Sequence, residues 1–463
     1  MEFTSSSLIR IPPLIHGEFD SLSSRTTSKV SDSSPLCLEV VSAAEINYRS
    51  DLFSLEKLNA NWLDIDQGVF AKAAHLFTTA TLNGQNFEQY IKLVSATAGL
   101  SVGNVRESGK RLAQAVLETP AKARGARRRN SFSINSLVEL SPPSFGLMQL
   151  RRGNTLFVNL PGNSPGPNSV WVEALLYGYK IILRPSARDP FTPLRLAMSL
   201  IEAGVPKKAL SVLYCDHIAS DVLVDRCDLS IIFGGDFLEK KYSGRTDVKM
   251  YGPGRSTTIV DSSWRDNKTI EAIVKSIIAT GGVACFNTSL LLLTEDSKEM
   301  ESLLFDALDE TTKQLVHTGK DNRPSYPISH FHSLVGGLKA EKDVKILYDG
   351  TSAELNGRVR VGPIVFRRMN RRADQEVLEL PFPLVEISTI GSMDIKNLVN
   401  RSLATSLFTS DTELIAKVFQ SRSNGRVLIN EPTISSFRDL PHDGHLSDFL
   451  LMERPFINSP RMK

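Results

Sequence analysis

The sequence predicts an α/β fold made of two doubly wound domains. Short apolar runs that are typical of buried strands alternate with amphipathic helical segments from residue 155 onward. This alternation indicates parallel sheets covered by helices. The chain has 463 residues, of which 41% are hydrophobic and 23% charged, so it can bury sizeable cores in two or three domains.

The elements follow in chain order. Residues 1–50 are rich in Ser, Thr and Pro and read as an irregular or strand-containing lead-in, and helical periodicity begins near residue 55, with clear repeats at 70–77 and 87–94. Strands are predicted at 155–159, 180–183, 210–214 and 229–233, with helices at 170–176 and 194–201. Later helices are predicted at 270–280, 298–315 and 412–419, and later strands at 289–293, 359–361, 364–366, 384–387 and 426–429. The predicted domains are 51–265 and 266–430, followed by a tail, 431–463, that is a candidate for oligomerisation.

Composition and charge exclude several classes of protein. A formal net charge of +3 is small for this length and argues against a general nucleic-acid binder. No stretch approaches the roughly 20 apolar residues of a membrane span, and the N-terminus lacks the pattern of a signal peptide. We therefore expect a cytoplasmic protein.

Cysteine and histidine spacing gives no metal site. The four cysteines are scattered without a C-x-x-C pair, which fits free thiols in a reducing compartment and argues against structural zinc; they are Cys37, Cys215, Cys227 and Cys285. His330 and His332 have the i, i+2 spacing of one strand face, but no third ligand lies near them in sequence.

A basic run covers residues 122–130. It reads either as an exposed, solvated loop or as a docking patch for an acidic carrier domain or for the phosphates of a substrate such as CoA.

Cys285 is the candidate nucleophile. It lies in the sequence TGGVACFNTS, with glycines ahead of it and the apolar run 290–293 behind it. Small neighbours on a turn would let a substrate carbonyl approach the sulfur. The alternative is a buried cysteine that acts as a small hydrophobic residue.

Seven segments carry a family resemblance. They are GNSP at 162–165, LRPSARDPFT at 183–192, FGGD at 233–236, YGPGR at 251–255, GVAC at 282–285, ELPFP at 379–383 and NGRVLIN at 424–430. In this order they resemble the aldehyde dehydrogenase superfamily, and they are most similar to its acyl-thioester reductase branch, the family of the bacterial bioluminescence fatty acid reductase component. The resemblance implies one cofactor-binding and one catalytic α/β domain, and usually a homodimer.

The resemblance gives Cys285 and Asn163 catalytic roles. Cys285 matches the catalytic cysteine, and Asn163 matches the asparagine whose amide helps to hold the developing oxyanion. A preorganised N–H donor can stabilise such an oxyanion by about 3 kcal/mol. Asn159, four residues upstream, is a competing candidate.

The resemblance also assigns the cofactor-binding residues, which are Arg184, Ser186, Arg188, Gly234, Gly235 and Glu379. Arg184 replaces the usual lysine, and Ala187 stands where NAD-preferring members carry a glutamate for the ribose hydroxyls. Losing that carboxylate beside Arg188 favours a 2′-phosphate, so we expect NADPH. Asp236 and Lys240 depart from the pattern of the loop near the pyrophosphate.

Tyr251 is the most informative departure from the family pattern. It stands where hydrolytic members carry a glutamate that activates water against the acyl-enzyme. Without that base, an acyl-cysteine should persist until it is reduced or transferred. We therefore expect NADPH-dependent reduction of an acyl thioester, from CoA or acyl carrier protein, to an aldehyde. Aldehyde oxidation, either hydrolytic or CoA-acylating, and a non-catalytic scaffold are the alternatives.

Overall fold

The computed structural model describes residues 9–30, 36–54, 68–125, 131–133, 145–261, 263–264, 266–354, 357–372, 375–391, 395–421, 425–436 and 444–457. They form two compact units. Unit 1 comprises Met1–Thr97, Gly109–Gly252 and Gly444–Lys463, and unit 2 comprises Ala98–Ser108 and Pro253–Asp443. The domain boundaries given above stay predictions.

Unit 1 is built on a mainly parallel sheet. Within the described residues its seven strands lie in the order Val248–Tyr251, Leu229–Phe233, Thr155–Asn159, Lys180–Arg184, Leu210–Val212, Leu14–Ile15 and Glu18–Phe19. The first five are parallel and the last two antiparallel. Thr155–Asn159, the earliest of the parallel strands in the chain, is buried at every position and lies in the middle. The strand order therefore reverses beside it, which in open α/β sheets is where ligands bind.

Helices and two smaller sheets complete unit 1. The helices are Ala43–Tyr48, Gly68–Thr79, Phe87–Ala98, Val102–Gly125, Glu173–Leu176, Phe191–Ala203, His217–Arg226, Asp236–Lys241 and Leu446–Leu450, with 3₁₀ turns at Ser50–Leu52, Gly166–Val172 and Lys207–Ala209. Of Val102–Gly125, the residues up to Ser108 belong to unit 2. The smaller sheets pair Ile9–Ile11, Leu36–Val40 and Thr26–Lys29, and Leu451–Ile457, Phe145–Arg151 and Ser131–Ser133.

Unit 2 has a second sheet. Its seven described strands lie in the order Val344–Asp349, Ile364–Arg368, Leu384–Thr389, Thr288–Leu293, Ser256–Val260, Ala404–Phe408 and Arg426–Ile429. All neighbours are parallel except Val344–Asp349. The five strands from Leu384–Thr389 to Arg426–Ile429 therefore begin at the same edge, which we call the amino edge.

The remaining elements of unit 2 surround this sheet. The helices are Asn267–Ile278, Lys298–His317, Ile328–Ala340, Ile395–Leu398 and Thr412–Phe419, a 3₁₀ turn spans Ala279–Gly282, and a small sheet pairs Ser325–Pro327, Arg358–Arg360 and Ser352–Ala353. Among the described residues, no helix combines the length and hydrophobicity that crossing a bilayer requires.

The α/β class is confirmed, and the lead-in contains strands where it is described, which agrees with its strand-containing interpretation. Two details differ from expectation. Strands Val248–Tyr251 and Ser256–Val260 were not predicted. The expectation that His330 and His332 share a strand face is wrong, because both lie on the helix Ile328–Ala340, where residues two apart point in different directions. The basic run lies outside the described residues beyond its helical start, so both of its interpretations stay open.

A buried arginine ties the helices of unit 1 together. Arg195, 3% exposed, donates from Nε to the carbonyl oxygen of Phe77 at 2.8 Å and from its Nη atoms to those of Ala80 and Gln85 at 2.7 and 2.8 Å. Its guanidinium also packs over the ring of Tyr90, with 5.5 Å from Cζ to the centroid. These bonds satisfy carbonyl groups at the end of one helix and in the loop that follows it.

Replacing this side chain should destabilise unit 1. Arg195→Met leaves three carbonyls without their donor, so we expect the free energy of unfolding to fall by about 3 kcal/mol in urea denaturation. The control Arg245→Met removes an exposed guanidinium that pairs with Asp225 and Asp247 and should cost less than about 1 kcal/mol. Equal losses in the two variants would contradict the role of the Arg195 hydrogen bonds.

Candidate active site

Cys285 lies on a hydrogen-bonded turn at the amino edge of unit 2. The turn is closed by the Asn287 backbone N–H, which donates to the Ala284 carbonyl at 2.9 Å. Thr280, Gly281 and Gly282 precede it with positive φ angles of 55°, 71° and 67°. For the β-branched Thr280 this conformation costs about 1–3 kcal/mol, and such strain persists only where neighbours enforce it.

The Asn287 side chain enforces this conformation. It is 4% exposed, and its Nδ2 donates to the carbonyls of Ser276 and Ala279 at 3.1 and 2.9 Å. Its Oδ1 accepts from the Ala284 backbone N–H at 2.9 Å and from Thr280 Oγ1 at 3.2 Å. One side chain therefore fixes both ends of the segment that carries the cysteine.

The backbone at Gly254 approaches Cys285 more closely than a side chain would allow. A Cβ atom at Gly254 would lie 1.7 Å from the Cys285 carbonyl oxygen and 2.7 Å from its Cα. Ser256 Oγ donates to the same carbonyl at 2.9 Å. The Cys285 backbone is therefore fixed, and the residue as a whole is partly exposed.

Glu379 binds the segment beside the cysteine. Its carboxylate accepts hydrogen bonds from the backbone N–H groups of Gly254 and Arg255 at 3.0 and 2.5 Å, and from Ser289 Oγ at 3.2 Å. Burial raises the pKa of Glu379, and the N–H donors of Arg255 and Gly254 oppose that rise. The predicted contact of Glu379 with a nicotinamide ribose stays a prediction.

In unit 1, Arg184 and Asn159 connect the carboxyl ends of neighbouring strands. Arg184 donates from Nη1 to Asn159 Oδ1 at 2.7 Å and from Nε to the Cys215 carbonyl at 3.0 Å. Asn159 Nδ2 donates to the Phe233 carbonyl at 3.0 Å. Asn159, the competing oxyanion candidate, is therefore occupied in bracing the point where the strand order reverses.

The other predicted residues of unit 1 lie in loops that leave the same edge. A Cβ at Gly162 would lie 2.5 Å from Ser186 Oγ and 2.8 Å from Arg188 Cβ, so the turn that carries Asn163 packs against the segment that carries Ser186 and Arg188. Gly234 donates its N–H to the Tyr251 carbonyl at 3.1 Å, and Gly235 caps the helix Asp236–Lys241. The structure thus brings the predicted cofactor residues of unit 1 to one edge of the sheet.

A cavity of about 160 Å³ opens at the strand reversal. Ile232, Phe237 and Leu238 give it apolar walls, and Asn159, His217, Ser220, Asp221, Lys241 and Tyr242 add polar groups. Apolar walls with a few polar groups at the carboxyl ends of parallel strands fit the nucleoside part of a dinucleotide. No group of three or more candidate metal ligands occurs within the described ranges.

Comparison with known proteins agrees with this arrangement. The model of the aldehyde dehydrogenase family matches residues 71–447. In fold, the chain is similar to the aldehyde dehydrogenase KauB from Pseudomonas aeruginosa, with a TM-score of 0.77 over 96% of each chain at 16% identity. The protein belongs to the aldehyde dehydrogenase family, and membership implies an oxidoreductase that uses NAD(P).

Sequence relatives fall into two groups. The chain is 31% identical over 162 residues to the long-chain acyl-protein thioester reductase of Vibrio harveyi, covering 32% of this chain and 33% of that protein. It is 23% identical over 458 residues to the D-glyceraldehyde dehydrogenase (NADP(+)) of Picrophilus torridus, covering 90% of this chain and 88% of that protein. The resemblance to the aldehyde dehydrogenase superfamily is therefore confirmed, with part of the chain similar to a thioester reductase.

Sequence reasoning missed the residues that hold the nucleophile. Asn287 follows Cys285 by two positions, and Gly254 lies in the same motif as Tyr251. The sequence pattern predicted no role for either residue. Ser256 gave no signal, because its hydroxyl bonds a carbonyl that is 29 positions away in sequence.

Adding a methyl group at Gly254 should displace the nucleophile. Gly254→Ala forces a Cβ against the Cys285 carbonyl, and we expect alkylation of Cys285 by iodoacetamide to slow about a hundredfold, since a shift of about 1 Å can cost that much. The label is selective because Cys37 and Cys227 are buried and burial raises the pKa of Cys215 to about 11.

The matched control is Gly252→Ala, where the nearest atom to an added Cβ is a Glu239 carboxylate oxygen at 3.5 Å. It should keep the wild-type alkylation rate. Unchanged reactivity in Gly254→Ala, measured by mass spectrometry of the Cys285 peptide, would show that the loop can move without consequence.

Proposed function

We propose that the protein reduces an acyl thioester of CoA or acyl carrier protein to an aldehyde through an acyl-cysteine on Cys285. The observation that carries this proposal is the geometry of the turn: Asn287 and Gly254 fix its backbone, and Cys285 is a partly exposed residue. A cysteine that is held in this way and is not fully buried suits nucleophilic catalysis better than core packing. The partial similarity to an acyl-protein thioester reductase supports the choice of substrate.

Two residues support reduction rather than hydrolysis. Glu379, the carboxylate that binds the segment beside the cysteine, accepts three hydrogen bonds, so a water molecule would have to compete with them for its oxygen atoms. Tyr251, where hydrolytic members carry their base, stacks on Phe233 with ring centroids 4.7 Å apart. An acyl group held on Cys285 would therefore survive long enough to be reduced.

Residues of this chain are assigned to the steps of the proposed reaction. The Cys285 thiolate attacks the thioester carbonyl and expels the carrier sulfur as a thiolate, which takes a proton from water, and the acyl group is left on Cys285. The Cys285 backbone N–H and the Asn163 amide stabilise the oxyanion. After reduction, the thiohemiacetal collapses, the aldehyde leaves and the thiolate returns.

NADPH is the proposed cofactor, and it supplies a hydride when bound. Arg184, Ser186, Arg188, Gly234 and Gly235 would hold it at the carboxyl edge of unit 1, with Arg188 recognising a 2′-phosphate, and Glu379 would contact its nicotinamide ribose. We also propose a cytoplasmic homodimer.

Aldehyde oxidation is the second candidate. A relative named as a dehydrogenase covers 90% of this chain, far more than the thioester reductase does. Both reactions pass through the same acyl-cysteine. They differ in the direction of hydride transfer and in whether a water molecule is activated to attack the acyl group.

One assay tests the reaction. Purified protein with NADPH and a medium- or long-chain acyl-CoA should lose nicotinamide absorbance and form aldehyde, and Cys285→Ala should reduce the rate at least about a thousandfold. Cys215→Ala, which removes a thiol whose pKa is raised to about 11 by desolvation, should retain it. Oxidation of aldehydes to free acids without thioester reduction would favour the second candidate, and no turnover with either would favour a non-catalytic scaffold.

Cofactor choice can be reversed at two adjacent positions. Arg188→Ala removes the proposed 2′-phosphate partner and should raise the KM for NADPH about tenfold, with little effect on NADH. Ala187→Glu should shift preference toward NADH, because a carboxylate there would bind ribose hydroxyls and repel the phosphate. Lys207→Ala, which removes an exposed cation paired with Glu18, is the control. If Arg188→Ala leaves both KM values unchanged, another group selects the cofactor.

A further inference from the structure

Arg426 is tied to the same backbone segment as Cys285. It begins the strand Arg426–Ile429 at the amino edge of unit 2, and its N–H donates to the Leu403 carbonyl at 3.0 Å. The Leu403 N–H in turn donates to the Gly254 carbonyl at 2.7 Å. Two hydrogen bonds therefore connect the start of this strand to Gly254, and Gly254 lies against the Cys285 backbone.

The Arg426 side chain extends toward the cysteine turn. Its Cζ lies 5.9 Å from the centroid of the Phe286 ring, within the range of a cation–π contact, and Phe286 follows Cys285 directly. One Nη donates to the Thr433 carbonyl. Nε is buried and has no hydrogen-bond partner among the described residues. The guanidinium therefore has an unused donor in a partly desolvated position beside the turn.

We propose that the Arg426 guanidinium is the positive charge that stabilises the Cys285 thiolate. This inference rests on the proposed function in taking Cys285 as the nucleophile. A nearby cation lowers the free energy of a thiolate, and catalytic cysteines commonly lie in such electropositive positions. The Cys285 proton passes to water before substrate arrives, and Arg426 keeps its charge throughout.

The electrostatics of Arg426 agree with this geometry. Burial lowers the pKa of Arg426, and the charge of Cys285 opposes that change by raising it. The effect is mutual, since a thiolate that favours the charged arginine is itself favoured by it.

Two other charged groups lie beside the turn. Glu379 binds the backbone of Gly254 and Arg255, and its negative charge would disfavour a thiolate. Burial raises the pKa of Glu379, and the positive charge of Arg255 opposes that rise. Arg255 also pairs with Glu376 at 3.7 Å, so Arg426 is the positive charge that we assign to the thiolate.

The test is the pH dependence of Cys285 alkylation by iodoacetamide in the full chain. We expect the wild-type midpoint to lie below about 8.5, the value of a free cysteine. Arg426→Met should raise the midpoint by about one unit and slow alkylation at neutral pH about tenfold. Arg426→Lys should retain most of the lowered midpoint. The plateau rate at high pH should stay unchanged, whereas a structural collapse of the turn would change it.

The control is Arg401→Met, which removes the same charge from a pair with Glu376 and should leave the midpoint unchanged. A wild-type midpoint at or above about 8.5, or equal midpoints in wild type and Arg426→Met, would overturn the proposal. Even if Arg426→Met fails to fold, a wild-type midpoint at or above about 8.5 would overturn the proposal.

This experiment is independent of thioester turnover. A shifted midpoint without NADPH oxidation by any thioester would contradict the proposed function and support the role of Arg426. Thioester reduction with equal midpoints would do the reverse.

Discussion

The close approach of Gly254 to the Cys285 carbonyl is the constraint on which the site of unit 2 depends. The segment 254–256 enters the strand Ser256–Val260, and the cysteine turn enters its parallel neighbour Thr288–Leu293. A bulge between Ser256 and Thr257 shifts the pairing just where the two segments touch. Only a residue without a side chain permits this contact. It sets the nucleophile at the start of a strand whose positions from Leu290 to Leu293 are fully buried, so the rigid core of the unit holds the turn.

The same contact determines what Glu379 can do. Its carboxylate caps the N–H groups of Gly254 and Arg255, so it holds the segment that presses on the cysteine. Releasing it to activate water would leave two backbone donors unsatisfied, at about 1–3 kcal/mol each. A carboxylate can therefore lie near a thioester without hydrolysing it, provided that its oxygen atoms are engaged in structure. Position alone does not make a general base.

The sequence predicted most of the strands that form the apolar cores, but it did not predict the hydrogen bonds that hold the polar residues of the site. The strands Thr155–Asn159, Leu229–Phe233 and Arg426–Ile429 have the predicted bounds, and the first two are buried at nearly every position. Ser256–Val260 is equally buried but begins with Ser and two Thr residues, which hide it. The hydroxyls of Ser256 and Thr258 bond to partners about 30 positions away, the Cys285 carbonyl and the Thr288 hydroxyl, at 2.9 and 2.7 Å.

Site residues show the same division. The local pattern and the family resemblance predicted Cys285, whereas the contacts of Arg426 with Phe286 and of Asn287 with Ser276 exist only in the folded chain. The spacing of residues along the sequence indicates what near neighbours can do together. It does not indicate which strand ends lie side by side at the edge of a sheet.

A cation beside the thiolate bears on more than the first step of the reaction. When the sulfur carries an acyl group it is neutral, and a partly desolvated guanidinium such as Arg426 loses the charge that compensates its burial. The acyl-enzyme is then disfavoured electrostatically relative to the free thiolate. In the proposed reaction, the thiohemiacetal formed on reduction collapses by expelling that thiolate, so a stabilised leaving group would speed release of the aldehyde as well. In the proposed mechanism, one fixed charge thus raises the population of the Cys285 thiolate and favours its departure, and it limits how long the acyl group stays.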